Sequence, residues 1–462
     1  MFRHSVLSAA LSAALCTVAG SACAADDQEL AQIRAEIRAM KAAYEARIQA
    51  LEARLQSAAT PAAAIAQTES AASVVQAAAP TQSAAASATI FNPAVSLILG
   101  GTYSNLKQDP AQFRLQGFMP GGDVGPGARS FNLGESELTL SANIDPRFSG
   151  KLTFALAGDN TVGVEEAFFE SLGLSNGLNL KAGRFLSSIG YLNNRHAHTW
   201  DFVDAPLAYQ AFLGGQYKTD GAQARWLTPT ERFFEIGAEV GNGGAFPGND
   251  RNKNGVGAAA VFAHLGDDIG ENASWRTGVS LLHSGARERS FDDVNSAGAP
   301  VVNAFGGTSN TLIVDGVYKW APGGNATRRN FILQGEYFRR EERGTLAANA
   351  DSGAYSSNQS GWYAQGVYQF APSWRFGLRH DRLNSGNPSI GLIESGTLTR
   401  ADFPRLASYN ARRDTVMVDY SPSEFSRFRL QFARDRSRPE ATDGQIYLQY
   451  IMSLGAHGAH TF

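Results

Sequence analysis

From Ile90 onward the sequence alternates between apolar and polar side chains in short segments, and this feature restricts the fold more than any other. In one segment Leu138, Leu140 and Ile144 alternate with polar residues. When apolar residues recur at every second position, one face of a strand points toward apolar surroundings and the other toward water. The sequence predicts sixteen strands, at 94–103, 131–144, 150–158, 162–172, 178–186, 220–228, 232–241, 256–265, 274–284, 310–320, 329–340, 360–370, 374–383, 413–421, 426–435 and 445–455.

The lengths of the connections separate a closed membrane barrel from a soluble sandwich, which would show the same alternation. Short connections such as 145–149, 228–231 and 371–373 alternate with long ones. The long connections are 104–130, 187–219, 285–309, 341–359 and 384–412. Short turns at one rim and long loops at the other are typical of outer-membrane barrels, whose apolar band is about 25 Å tall. We therefore predict that residues 90–462 form an all-β domain, a 16-stranded antiparallel transmembrane β-barrel in contact with outer-membrane lipid.

Residues 1–24 have the features of a secretory signal peptide. A basic start precedes an apolar run, residues 6–18, that is too short to span a bilayer, and a small-x-small cleavage site ends at Ala24. The alternative is a lipoprotein signal that uses Cys16 or Cys23. Cleavage after Ala24 removes both cysteines, so the mature chain can form neither a disulfide nor a thiolate metal site.

Residues 25–56 predict an α-helical coiled coil in the periplasm, because apolar residues recur at steps of three and four with charged residues between them. The apolar seam consists of Leu30, Ile33, Ile37, Met40, Tyr44, Ile48, Leu51 and Leu55. The alternative is an amphipathic helix that lies on its own barrel. As a stalk, the segment would contact the cell wall or a periplasmic partner. Residues 57–89, rich in Ala, Ser and Pro, predict a flexible linker, because too little apolar bulk is present to offset the entropy of ordering.

Sixteen strands enclose a lumen that is too wide for side chains to fill, so the function depends on what narrows it. The longest connection, 187–219, is rich in aromatic and histidine residues, and we expect it to fold inward as a constriction. The alternative is a loop that caps the rim. The polar residues that we expect to line the pore or its constriction are Lys181, Arg184, Arg195, His196, His198, Asp201, Asp204, Glu235, Glu239, Arg375, Arg379, Arg427 and Arg429.

The charged members of this set are segregated along the chain. The arginines from Arg375 onward lie on late strands, whereas Glu235 and Glu239 lie on earlier ones, as does Glu137. Opposed stripes of charge would create a transverse field that biases ion selectivity. The alternative is that these interior charges pair with one another.

Two patterns resemble metal sites. His196 and His198, with Asp201 and Asp204 nearby, are residue types that bind zinc, and residues 250–255 match the opening of a calcium loop that lacks its final glutamate. Exposed loop histidines are far more often free than metal-bound, so we predict neither a metal nor any other cofactor. The sequence contains no motif typical of an enzyme, and a net charge of −3 argues against a nucleic-acid partner.

The segments Val164–Glu170, Leu180–Phe185, Ile189–Leu192 and Trp374–Leu383 resemble the phosphate-selective porin O and P family, and the resemblance covers residues 91–462. It implies a trimeric porin of the outer membrane with sixteen strands. The ending, 446–460, also resembles a subgroup labelled as zinc-regulated outer-membrane receptors.

The sequence and this resemblance together predict a passive diffusion channel for small hydrophilic solutes, with anions as candidates. The alternatives are a metal-responsive channel that takes up zinc, and a structural tether anchored by the coiled coil.

Overall fold

The computed structural model describes residues 93–122, 124–158, 160–249 and 252–455. The predicted signal peptide, coiled coil and linker and the terminal Phe462 lie outside the described residues. None of the described helices is long and apolar enough to cross a bilayer.

The strands are β1 Ala94–Leu106, β2 Ser130–Leu133, β3 Ser136–Asn143, β4 Phe148–Leu156, β5 Val162–Ser171, β6 Leu178–Leu186, β7 Lys218–Leu227, β8 Phe233–Gly241, β9 Ala258–Ile269, β10 Ala273–Val294, β11 Pro300–Trp320, β12 Asn330–Ala348, β13 Asp351–Ala371, β14 Trp374–Asn384, β15 Ser389–Ile390, β16 Arg412–Ser423, β17 Ser426–Arg438 and β18 Ala441–Gly455. The α-helices are α1 Leu207–Leu213 and α2 Gly391–Glu394. Single 3-10 turns lie at Pro110–Gln112, Ser175–Gly177, Ala197–Thr199, Pro322–Gly324, Arg400–Asp402 and Pro404–Leu406.

The strands form one closed antiparallel sheet. β1 pairs with β18 from Ser96 opposite Gly455 to Leu106 opposite Gln445, which closes the barrel and removes its edges. β2 and β3 both pair with β1 and together make one interrupted strand, while β15 only adds two residues beside β13. The barrel therefore has sixteen strands, and all sixteen predicted segments coincide with them. The predicted fold class is confirmed for this part of the chain.

The apolar residues of each alternating strand lie on the outer face of the barrel. Leu180, Leu333 and Leu378, for example, are exposed on that face. Aromatic side chains lie where the strands meet the short turns, including the touching pair Trp374 and Tyr420, whose ring centroids are 4.7 Å apart. An apolar belt edged by aromatic rings matches the surface that outer-membrane barrels present to lipid.

Two of the predicted long loops are wrong. The segments 285–309 and 341–359 are mostly strand, because β10 pairs with β11 as far as Val294 opposite Pro300, and β12 with β13 as far as Ala348 opposite Asp351. The apolar alternation stops there because these extensions lie past the apolar band, whereas hydrogen bonding between the strands continues.

The inner face of these extensions forms an apolar cluster of its own. Phe305, Leu346 and Tyr355 are buried there against Leu392 and Phe403 of the connection between β14 and β16. This packing fixes the long connection of residues 385–411 over the same end of the barrel.

Candidate constriction site

Residues 187–217, the connection from β6 to β7, fold into the barrel; we call this segment the crossing loop. It leaves the wall where Leu186 is paired with Lys218 and contacts inward-facing residues on β12–β17. Within it, all seven residues of α1 are buried. The expectation that the loop folds inward rather than capping the rim agrees with this geometry.

An apolar surface on the inner wall receives α1. Phe212 stacks on Phe338 of β12 with ring centroids 5.7 Å apart, and Tyr209 meets the same ring edge-on at 5.2 Å. Ile313 and Leu282 are buried in the same cluster. Inward positions in a wide barrel normally face water and are polar, so this surface exists because α1 covers it.

Glu336 of β12 binds the loop through hydrogen bonds. Its carboxylate accepts from the backbone N–H groups of Tyr191 and Leu192, each at 3.1 Å, and from the hydroxyl of Tyr209 at 2.9 Å. The hydroxyl of Tyr363 on β13 donates to it at 2.7 Å. One buried carboxylate thus satisfies two loop amides and two phenols.

Two aspartates of the crossing loop pair with arginines on the late strands. Asp201 lies 2.8 Å from Arg375, and Asp204 lies 2.9 Å from Arg379 and 2.6 Å from Arg413. Burial raises the pKa of Asp204, but the two arginines lower it by more, so the pKa is below its ordinary value. The aspartate is therefore ionised at neutral pH.

Backbone atoms of the loop add to this contact. Arg429 donates to the carbonyl of Trp200 at 2.9 Å and pairs with Asp419 at 2.7 Å, and Arg427 donates to the carbonyl of His198. Asp381 of β14 accepts from the backbone N–H of Leu207 at 2.8 Å, which satisfies an otherwise free donor at the start of α1.

A carboxylate and histidine cluster joins the crossing loop to β3 and β5 of the early strands. His196 Nδ1 lies 3.0 Å from Glu137 and 3.1 Å from Glu165, and His198 Nδ1 lies 3.1 Å from Glu137. His196 Nε2 lies 3.0 Å from Glu166. Burial lowers the pKa of His196, but the hydrogen bonds to the three glutamates outweigh burial and raise the pKa well above its ordinary value.

Two irregularities in the strands direct these carboxylates inward. The pairing of β4 with β5 shifts between Thr153 and Phe154, so that Glu165 has no partner and both it and Glu166 are buried inside. An extra residue of this kind reverses the alternation at one point. The interruption between β2 and β3 has a similar effect at Glu135.

A polar cavity of about 360 Å³ lies beside the crossing loop. Arg195 of the loop, Arg225 of β7, Arg276 of β10 and Lys319 of β11 line it, and Glu235 of β8 is the acidic residue among its lining. We call this cavity the basic vestibule. Four cationic side chains against one carboxylate give it a positive potential.

Comparisons with known proteins agree with this fold. A mutant of OmpT from Vibrio cholerae, an outer membrane protein, in which one loop is deleted, superposes with a TM-score of 0.51 at 11% identity, covering 79% of this chain and 99% of its own. The outer membrane channel DcaP of Acinetobacter baumannii gives a TM-score of 0.46 at 11% identity, covering 79% and 97%. The superposition on the OmpT mutant shows that the chain has the fold of an outer-membrane barrel protein.

In sequence, an uncharacterized protein of Aquifex aeolicus (strain VF5) is 29% identical over 407 residues, 81% of each chain. No family model matches the chain. The resemblance to the phosphate-selective porin O and P family therefore stays a prediction.

Most of the predicted site residues face the barrel interior. The late-strand arginines Arg375, Arg379, Arg427 and Arg429 all contact the crossing loop or its neighbours. Three of these four pair with aspartates, which matches the alternative of paired interior charges and weakens the expected transverse field.

The earlier predicted residues lie on the other side of the interior. Lys181 places its ammonium 4.4 Å above the ring of Phe168, and Glu239 accepts from the backbone N–H of Ser188 at 2.9 Å. Glu235 pairs with His264 at 3.1 Å.

The assignment of Arg184 to the pore is wrong. It shares the outward-facing side of β6 with Leu178 and Leu180, and it pairs at 2.6 Å with Asp220 on the adjacent strand. Sequence spacing placed it beside Lys181 near the loop, but two residues whose positions differ by three project from opposite faces of a strand.

Asp201 and Asp204 do not join His196 and His198 as the sequence suggested, because they bind the late-strand arginines. The residues that surround the histidines instead, Glu137, Glu165 and Glu166, come from other strands.

Proposed function

We propose that this protein is a passive diffusion channel of the outer membrane for small hydrophilic solutes, with a lumen narrowed by the crossing loop. The observation that supports it most is the attachment of this loop at separate points on the inner wall, through α1, Glu336 and the Asp201 and Asp204 ion pairs. A segment held in this way reduces the free cross-section of the lumen, whereas a separate plug domain would block the barrel. In this proposal the barrel contacts lipid and assembles as a homotrimer, as its porin resemblance implies.

We further propose that the channel prefers anions. The basic vestibule supports this, since its four cationic groups raise the local concentration of anions. Phosphate is a candidate by family resemblance, and chloride is the simplest test ion.

The experiment is single-channel recording in planar bilayers under a salt gradient. Exchanging Arg276 and Lys319 together for glutamine should shift the reversal potential toward cation permeability, because the net charge of the vestibule falls by two. Arg232→Gln is the matched control, since that arginine lies in the short turn between β7 and β8 with its side chain 69% exposed. Identical reversal potentials for the double variant and the unaltered protein would contradict the proposed anion preference.

A further inference from the structure

The cluster around His196 has the composition of a transition-metal site. Glu137, His196 and His198 each offer one ligand atom, and these atoms lie within 4.8 Å of one another. Oε2 of Glu137 lies 3.0 Å from Nδ1 of His196, and Oε1 lies 3.1 Å from Nδ1 of His198. Each nitrogen therefore has a carboxylate oxygen at about the separation of neighbouring ligands on an ion whose metal–ligand distances are about 2.0–2.2 Å. Glu165 lies 3.1 Å from His196 Nδ1, and it forms a second group of possible ligands with Glu135 and Glu137 rather than joining the two histidines.

We propose that Glu137, His196 and His198 bind one divalent transition-metal ion of the Zn²⁺ type inside the barrel. Imidazole together with carboxylate favours zinc and its first-row neighbours, whereas calcium and magnesium prefer oxygen ligands alone.

A supporting shell surrounds the ligands. With Nδ1 of His196 on the metal, its Nε2–H donates to Glu166 at 3.0 Å, and Lys151 holds that carboxylate at 2.7 Å. Metal-binding histidines usually donate their second ring N–H to a carboxylate, which fixes the ring orientation. Glu166, which is held by Lys151, is the carboxylate in this arrangement.

The charge of the cluster also supports a bound cation, independently of the distances between the ligand atoms. Glu135, Glu137, Glu165 and Glu166 converge there, and Lys151 is the lysine that pairs with them. One oxygen of Glu135, Oε2, is buried and has no hydrogen-bond partner. Burial of several carboxylates is costly unless cations compensate them. With neutral histidines the four carboxylates exceed Lys151 by three charges, and a divalent ion would supply two of these.

Zinc binding by the purified, folded protein tests the proposal, with isothermal titration for affinity and Co²⁺ absorption for coordination geometry. We expect one equivalent of Zn²⁺ per chain and the visible bands of tetrahedral Co²⁺. The H196A/H198A variant should lose this site, and E137Q, which keeps the side-chain shape, should weaken it. E166Q should weaken binding about tenfold, as expected for a supporting residue.

Two controls separate this site from other histidines. His264→Ala removes a buried histidine that pairs with Glu235 at 3.1 Å and belongs to neither group of possible metal ligands among the described residues, so it should leave Zn²⁺ affinity unchanged. A double variant, His457→Ala and His460→Ala, removes the two histidines of the C-terminal segment 446–460 and should also retain the site. The proposal is overturned if zinc binding survives in H196A/H198A, if it disappears in the C-terminal variant, or if Ca²⁺ binds the site as tightly as Zn²⁺. Circular dichroism and heat-modifiable migration on gels establish that each variant is folded. Conductance is not part of the readout, so the result is independent of the channel proposal.

Discussion

Replacing Glu336 with alanine should release the first half of the crossing loop and raise single-channel conductance severalfold. The substitution leaves the amide of Tyr191 and the hydroxyls of Tyr209 and Tyr363 without an acceptor. The amide of Leu192 keeps only the hydroxyl of Tyr209, at 3.2 Å. Each buried donor that loses its partner costs about 1–3 kcal/mol, so the bound position of the loop loses several kcal/mol relative to a hydrated, detached one.

Glu341→Ala is the matched control for this prediction. It removes the same residue type from the same strand, but Glu341 faces outward, is 44% exposed and pairs with exposed Arg339 at 3.3 Å. Its conductance should equal that of the unaltered protein. E336Q, which keeps one acceptor oxygen, should give an intermediate conductance. Unchanged current through folded E336A channels would show that Glu336 does not hold the loop.

The substitution Asp204→Ala should destabilise the second attachment and produce frequent transitions to a larger conductance. Arg379 and Arg413, both almost fully buried, lose the carboxylate that lies 2.9 Å and 2.6 Å from them. Removing one partner of a buried ion pair typically costs about 3–5 kcal/mol, because the remaining charge stays desolvated. Asp381 still contacts Arg379 at 3.0 Å, so we expect partial rather than complete release.

Thermal unfolding and current traces together test this second prediction. D204A should unfold at a lower temperature, and adding Arg413→Ala should lower stability by less than the sum of the two single changes, because the pair is coupled. The control, Asp267→Ala, breaks the exposed pair with Arg232 at 2.9 Å, an interaction worth about 1 kcal/mol or less. Equal stability losses in D204A and D267A would contradict the assigned role of Asp204.

The strands could be predicted from the sequence because each needs only local alternation. The same reasoning missed the extensions of β10–β13, where neither face meets lipid and the alternation no longer follows the pairing. It also missed Glu165 and Glu166, because the bulge that turns both inward depends on the register with β4.

The length and composition of the crossing loop predicted that it folds inward. They did not identify the apolar surface of the inner wall against which it packs. A signal was present, however. Phe262, Leu282, Ile313 and Phe338 are apolar at positions where the alternation requires inward side chains. Four such exceptions on consecutive strands indicate an internal apolar surface, which a segment of the chain must cover. The ion pairs of Asp201 and Asp204 join residues more than 170 positions apart, and no local pattern predicts them.

The central claim is that the crossing loop limits flow through the barrel, and the conductance of a channel without it tests this most directly. Leu186 and Lys218 are paired neighbours, so residues 189–215 can be replaced by an Asn-Gly turn that preserves the pairing of β6 with β7. In planar bilayers the shortened channel should conduct severalfold more current than the full chain and admit larger uncharged solutes. If the folded, shortened barrel shows the same conductance and size cutoff as the full chain, the crossing loop is not the constriction.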